Sequence, residues 1–171
     1  MATSGADTVL GVFERHPATS VAIGAPDRTS MTYAGLRDLV ARTVTSLNNM
    51  GVGRNDRVGM VLPNGPEMAT AFIAIACAAT TAPLNPAYRA EEFDFYLSDL
   101  NAKALFILKD MESPARAVAA ARNIPIVELV VPEGAPAGAF DLVPPPGLSG
   151  TPAHPGNAEA EDVALVLHTS G

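Results

Sequence analysis

The chain has 171 residues, enough for one compact domain with a substantial core, and 48% of them are hydrophobic while 17% are charged. This composition excludes a disordered chain. The formal net charge of −7, with Lys103 and Lys109 as the only lysines, argues against a surface that binds nucleic acid through clustered cations. Cys77 is the only cysteine, so no disulfide can form within the chain, and its apolar neighbours favour a small buried side chain.

Neither the amino-terminal region nor the most apolar stretch has the features of a secretory signal or a membrane span. The first residues lack a basic region followed by a continuous apolar stretch. Residues 68–82 are too few to span a bilayer, and threonines interrupt them. The sequence therefore predicts a cytoplasmic protein.

The first clear element is a helix over residues 32–51. Thr32 can cap its first turn, because the hydroxyl can accept a hydrogen bond from a free backbone N–H, and Gly51 is placed to end it. Apolar residues recur at helical spacing and form one stripe along this helix. The stripe consists of Leu36, Leu39, Val40, Val44, Leu47 and Met50.

Short apolar strands then alternate with helices. Strands separated by helices pair in parallel, because each connection must return over one face of the sheet. The sequence therefore predicts an α/β fold of three layers, with a mainly parallel sheet flanked by helices. The predicted strands are 57–62, 80–84, 104–108 and 124–131, and the predicted helices are 67–79, 90–100 and 112–122.

Residues 132–161 interrupt this alternation. They are rich in proline, glycine and alanine and include the run Pro144-Pro145-Pro146, which predicts a long surface loop with no core of its own. A linker between two domains is the alternative. Residues 162–167 (DVALVL) predict a further strand, which needs a sheet to join, so we interpret residues 1–171 as one domain that contains the loop.

The residues after that strand are His168, Thr169, Ser170 and Gly171. Small hydroxylated residues and glycine at the end of a strand can present backbone N–H groups and hydroxyl donors to a phosphate. The same residues are common in simple turns and at chain ends. By themselves, they therefore leave a phosphate site and a plain turn both open.

Several motifs resemble the superfamily of adenylate-forming enzymes, which includes acyl-CoA synthetases, luciferases and the adenylation domains of peptide synthetases. Residues 162–171 are similar to the strand and opening residues of that family's phosphate loop, and residues 31–33 and 56–64 are similar to two upstream family motifs. The resemblance covers residues 9–171. Residues 83–100 (PLNPAYRAEEFDFYLSDL) look most like oxalate–CoA ligases and related acyl-CoA synthetases.

The resemblance implies an acid–CoA ligase that forms AMP and uses ATP, Mg²⁺, CoA and a small carboxylic acid. In such an enzyme the acid attacks the α-phosphorus of ATP, pyrophosphate leaves, and the CoA thiol then attacks the acyl-adenylate. Thr169, Ser170 and Gly171 match phosphate-loop positions, and His168 is a candidate wall of the substrate site.

The resemblance further implies that residues 1–171 are the N-terminal subdomain of a larger ATP- and acid-binding domain. The family's adenine pocket, ribose-binding Asp, metal-binding Glu and catalytic Lys fall beyond Gly171, so no catalytic or metal-binding residue is predicted within the chain. We expect the chain to be inactive alone and to need the missing C-terminal part of the same protein.

Two other functions stay open at this point. The chain can be a non-catalytic scaffold or docking module with the same fold. A free-standing nucleotide-binding domain needs a glycine-rich loop after its first strand, which the turn Pro63-Asn64-Gly65-Pro66 does not supply. The sequence leaves the acid and the oligomeric state open, a homo-oligomer included.

Some polar residues are interpreted as structural. His16 and His154 lie in proline-containing segments that are typical of exposed loops, and Glu91 and Glu92 begin a helix, where carboxylates favour the positive end of the helix dipole.

Overall fold

The computed structural model describes residues 7–168, which form a mainly parallel sheet between two layers of helices, with a small hairpin before it. In chain order the elements are α1 (Val9–Glu14), β1 (Val21–Ile23), β2 (Met31–Thr32), α2 (Tyr33–Asn49), β3 (Arg57–Val61), α3 (Pro66–Ala76), β4 (Thr80–Pro83), α4 (Ala90–Asp99), β5 (Ala104–Leu108), α5 (Pro114–Ala121), β6 (Ile126–Val130) and β7 (Asp141–Val143).

The main sheet has the strand order β4-β3-β5-β6-β7. The first four strands in this order are parallel, and Val58 of β3 lies between Thr81 of β4 and Ala104 of β5. The helices α3, α4 and α5 connect successive parallel strands. The predicted α/β fold with a mainly parallel sheet is therefore confirmed.

Two apolar cores lie on opposite faces of the sheet. Along β5, Phe106 belongs to the core beneath α2 and α3, while Leu105 and Ile107 belong to the core beneath α4 and α5. This division follows from the period of two in a strand, which sends successive side chains to opposite faces. Because both faces are covered, β5 is apolar throughout rather than alternating.

The helix α2 has the predicted cap, stripe and end. Thr32 accepts a hydrogen bond from Gly35 N–H at its hydroxyl (3.3 Å), and the apolar stripe is buried. The helix stops at Asn49, and Gly51 follows with a φ of +80°, in the left-handed region that glycine adopts without strain. Val52 N–H then donates to Leu47 O, which closes the last turn.

The hairpin of β1 and β2 and the short helix α1 were not predicted from the sequence. Arg37 of α2 donates to Phe13 O (2.9 Å) at the end of α1, so this helix is held against α2. His16 stacks on Tyr33 with ring centroids 4.3 Å apart. His16 therefore has a packing role in the structure.

Residues 132–161, predicted as a long loop with no core of its own, contain a short strand that was not predicted. They contain β7, which pairs antiparallel with β6, with Leu142 opposite Leu129, and they bury Ala137 and Phe140 completely or nearly so. The prediction did not include this strand, and Phe140 belongs to the core beneath α2 and α3. A strand of three residues has too short a pattern to recognise, and here the neighbouring strand β6 determines its conformation.

One stretch of this region is tied to the start of α3. Glu67 lies 2.5 Å from Arg28 and also accepts a hydrogen bond from Gly138 N–H (3.1 Å). The Thr70 hydroxyl lies 2.6 Å from Gly138 O. Gly138 has a φ of +81°, and a Cβ atom there would lie 2.5 Å from the Thr70 methyl carbon. Glycine is therefore required at this position both by conformation and by space.

Candidate functional site

Residues 162–168, which lead to the predicted phosphate-binding residues, lie beside the free edge of β4. Thr81 N–H donates to Ala164 O, and Val166 N–H donates to Thr81 O, both at 2.9 Å. These bonds form one parallel bridge between Thr81 and Leu165. The predicted strand over 162–167 was therefore wrong in extent, because only this one bridge joins the segment to β4.

Two threonine hydroxyls strengthen the same junction. Thr80 Oγ1 donates to Val163 O at 2.6 Å, and Thr81 Oγ1 donates to Ala164 O at 2.8 Å. Both threonines are buried. Because a buried hydroxyl without a partner is costly, these bonds favour one position of the segment against β4.

The side chains of the segment alternate between a covered and an open face. Val166 packs against the core beneath α4 and α5. Val163, Leu165 and Leu167 are 51%, 43% and 60% exposed. The segment therefore turns a row of three apolar side chains toward solvent, which is the pattern of a strand with one face uncovered.

A polar clamp holds the start of the segment. This clamp, which we call the Asp162 clamp, consists of Arg54, Asn55 and Asp162. Asp162 accepts from Arg54 Nε at 2.6 Å and from Asn55 Nδ2 at 2.7 Å. Asn55 Oδ1 in turn accepts from Val163 N–H at 2.9 Å. The loop before β3 thus contacts both the side chain and the following backbone of Asp162.

Residues 154–156, which precede the segment, are also bound near this clamp. Arg54 N–H donates to His154 O at 2.9 Å, and Gly156 N–H donates to the side chain of Asn48 at 2.6 Å. A Cβ atom at Gly53 would overlap His154 O and would lie 2.7 Å from the Pro152 side chain. Gly53 is therefore a close-approach position, where a side chain would push residues 152–154 away from the sheet.

Sequence reasoning missed the clamp because its members are distant in the chain. Arg54 and Asp162 are 108 positions apart, so no local spacing links them. The only local feature in the sequence is the pair Arg54-Asn55 before the buried strand β3. This pair does not indicate which distant residue it contacts.

Hydrogen bonding from Arg54 lowers the pKa of Asp162 to about 2, and the N–H of Glu159 and the amide of Asn55 act in the same direction. The ordinary value is 3.8, so the folded state holds the proton less tightly than the unfolded state does. The ionised carboxylate of Asp162 therefore contributes fully to the free energy of unfolding above about pH 4. This contribution is lost as the pH falls through about 2.

We expect the free energy of unfolding to fall by about 2 kcal/mol between pH 5 and pH 2 through Asp162. Urea titrations at a series of pH values measure this. We expect the Asp162→Asn variant to be less stable at pH 5 and to lose less stability toward pH 2. Equal acid dependence in both proteins would contradict the assignment.

The candidate His168 lies against α4. Its Nε2 is 2.9 Å from Asp99 Oδ2, and its ring centroid is 4.6 Å from that of Tyr96. Tyr96 stacks on Tyr88, with centroids 5.1 Å apart. The structure thus gives His168 partners within this part of the chain, and its role as a substrate wall stays a prediction.

Thr169, Ser170 and Gly171 lie outside the described residues, and their phosphate-binding role stays a prediction as well. Within residues 7–168, no group of three or more His, Cys, Asp or Glu side chains could hold a metal ion. The same residues include no helix long and apolar enough to cross a membrane. Cys77 is buried, as predicted, and burial raises the pKa of its thiol to about 12.

The acidic pair at the start of α4 has the predicted structural role. Both Glu91 and Glu92 lie in the first turn, and Glu92 accepts a hydrogen bond from Arg89 N–H at 2.8 Å. The pair therefore stabilises a helix start, where free backbone N–H groups and the helix dipole favour negative charge.

Comparison with known proteins agrees with this architecture. A probable CoA ligase of Humulus lupulus, CCL9, is 40% identical over 148 residues, which are 82% of this chain and 27% of the relative. The oxalate–CoA ligase of Arabidopsis thaliana is 34% identical over 175 residues, which are 96% of this chain and 33% of the relative. The chain thus spans about a third of the length of these relatives.

The fold is also found in a solved structure. Apo MatB from Rhodopseudomonas palustris superposes with a TM-score of 0.72 at 22% identity, over 96% of this chain and 32% of that protein. The sequence matches the family described as AMP-binding enzyme over residues 11–171. The chain therefore belongs to the family of AMP-binding enzymes.

Proposed function

We propose that the chain is the N-terminal part of an acid–CoA ligase that forms AMP, and that Thr169, Ser170 and Gly171 begin its phosphate loop. One observation carries the proposal. In a chain that matches the family over residues 11–171, residues 162–168 lie beside β4, joined to it by one parallel bridge, and lead directly into these three residues. A strand that ends in small hydroxylated residues and glycine is suited to binding phosphate.

The proposed reaction has two steps. A carboxylate oxygen of the acid attacks the α-phosphorus of ATP, and the bond to the β-phosphate breaks so that pyrophosphate leaves. The CoA thiolate then attacks the acyl carbon of the acyl-adenylate, which yields the thioester and AMP. The phosphate loop contributes by holding the β- and γ-phosphates, so its effect is positioning and charge stabilisation.

Mg²⁺ would arrive with the triphosphate rather than bind to the described residues. This assignment is supported by the preference of Mg²⁺ for phosphate oxygens with few protein ligands. We place the reaction in the cytoplasm. Among carboxylic acids, oxalate is the first to test, because the Arabidopsis relative is an oxalate–CoA ligase and aligns with nearly the whole chain.

The C-terminal part of the same protein is the partner that this proposal requires. Val163, Leu165 and Leu167 form an open apolar row next to the proposed loop. Additional residues of the complete protein that covered this row would remove its apolar surface from water. Such burial contributes a stabilising free energy of roughly 25 cal/mol per Å². An isolated chain with this row exposed is expected to self-associate more readily than the complete protein.

The test is acid-dependent exchange between ATP and labelled pyrophosphate, with a panel that includes oxalate, aromatic acids and fatty acids. We expect exchange by the complete protein and none by residues 1–171, whose folded state is checked by circular dichroism. Three loop residues cannot surround a triphosphate. Exchange by the folded short chain above a control without enzyme would show that the catalytic groups do not lie downstream. Failure of the complete protein with every acid would favour the scaffold function.

A further inference from the structure

The Asp162 clamp fixes the chain at a point only seven residues before the proposed phosphate loop. Three backbone groups of two adjacent residues are bound there: Val163 N–H by Asn55, Val163 O by Thr80 and Ala164 O by Thr81. Together they determine which residue of the segment lies opposite which residue of β4. The register is therefore set at the start of the segment.

The far end of the segment is held by side-chain contacts of His168 with Asp99 and Tyr96 on α4 and not by backbone pairing with β4. Within residues 7–168, no backbone hydrogen bond to β4 occurs beyond Val166. An extended segment advances about 3.3 Å per residue, and its successive side chains point to opposite faces. A slip of one residue would therefore shift all following residues by that distance and exchange the covered and exposed side chains. The contacts at Asp162 and Val163 therefore set the register with which the segment runs along β4 to His168.

Resting on the proposed function, we propose that Asn55 and Arg54 are positioning residues for the phosphate loop. They do not contact the nucleotide. They hold Asp162 and Val163, and through residues 162–168 they determine where the loop begins relative to β4. Reacting groups displaced by about 1 Å can slow a reaction on the order of 100-fold, so a loose register would weaken both ATP binding and the positioning of the α-phosphorus for attack.

Asn55 allows a clean test of this role. Its φ is +64°, in the left-handed region, which glycine adopts at least as readily as asparagine. The Asn55→Gly substitution therefore keeps the backbone conformation and removes the two side-chain hydrogen bonds to Asp162 and Val163. Asn123→Gly is the matched control: Asn123 also has a positive φ, +57°, and lies far from this segment in the chain, before β6.

In the complete protein, Asn55→Gly is expected to raise the KM for ATP in pyrophosphate exchange by about tenfold, as supporting residues around a site commonly do. The dissociation constant for ATP, measured by calorimetry, is expected to rise by a similar factor. Thioester formation from supplied acyl-adenylate and CoA is expected to stay within about twofold, because this half-reaction involves no triphosphate. Asn123→Gly should leave all three quantities within about twofold.

Three results would overturn the inference in different ways. An unchanged KM and dissociation constant for ATP in Asn55→Gly would show that the clamp does not position the loop, while the proposed function stands. A parallel loss of both half-reactions would show that the clamp only stabilises the fold. Absence of acid-dependent exchange in the unmodified complete protein would refute the proposed function and this inference with it.

Discussion

Replacement of Phe106 by alanine is expected to lower the free energy of unfolding by about 3–5 kcal/mol, the range for large-to-small changes in a packed core. Phe106 is fully buried in the central strand β5, in the core beneath α2 and α3. Removal of the ring loses the free energy of transferring it from water to the core. It also leaves a cavity, because the sheet is packed against helices on both faces and cannot move to fill the space. Urea denaturation measures the change as a shift of the midpoint at constant slope.

Phe95→Ala is the matched control, because it removes the same ring from a surface position. Phe95 lies on α4 and is 62% exposed. We expect this variant to stay within about 0.5 kcal/mol of the unmodified chain. Similar losses in the two variants would mean that β5 does not form the centre of the core as described.

The Gly138→Ala variant is expected to lose about 2–4 kcal/mol. One part is the cost of a side chain in the left-handed region, about 1 kcal/mol, and the rest is the overlap of the new Cβ with the Thr70 methyl group. The adjacent hydrogen bond between Thr70 and Gly138 would be disturbed at the same time. Thermal and urea unfolding measure the total.

Two further variants separate these contributions. Gly134 also has a positive φ, +70°, but no heavy atom lies within 4 Å of a Cβ built there, so Gly134→Ala should show the conformational cost alone. Thr70→Ser removes the methyl carbon and keeps the hydroxyl, and it should recover part of the loss when combined with Gly138→Ala. A double variant as unstable as Gly138→Ala alone would show that overlap with Thr70 is not the cause.

The sequence was most informative where structure depends on neighbouring residues. The α2 helix was predicted with its cap at Thr32 and its end near Gly51, since a helix stripe and its terminal residues are local signals. The parallel pairing of β3, β4, β5 and β6 was predicted correctly from the helices between these strands. By contrast, β7 was missed, because its three residues form a strand only through pairing with β6.

The candidate site was predictable only in part. Residues 162–168 were identified as the segment that leads to the loop, and the structure places them beside β4. Their anchoring through Arg54 and Asn55 was not predicted, because contacts between side chains 108 and 107 positions apart leave no periodic trace in a single sequence. The extent of the strand was overestimated, since an apolar run does not reveal how many backbone partners it will find.

The edge position of residues 162–168 has a consequence for how the molecule assembles. Thr81 and Ala164 are 83 positions apart, whereas β5 and β6 are joined by a connection roughly a quarter as long. Two doublings of loop length add about 1.2 kcal/mol of closure entropy, which favours early pairing of the nearer strands. During synthesis from the amino terminus, β3 to β6 are also complete before residue 162 is made. The segment therefore docks on a sheet that already exists, and a nascent chain acquires the base of its proposed nucleotide site only at this late stage.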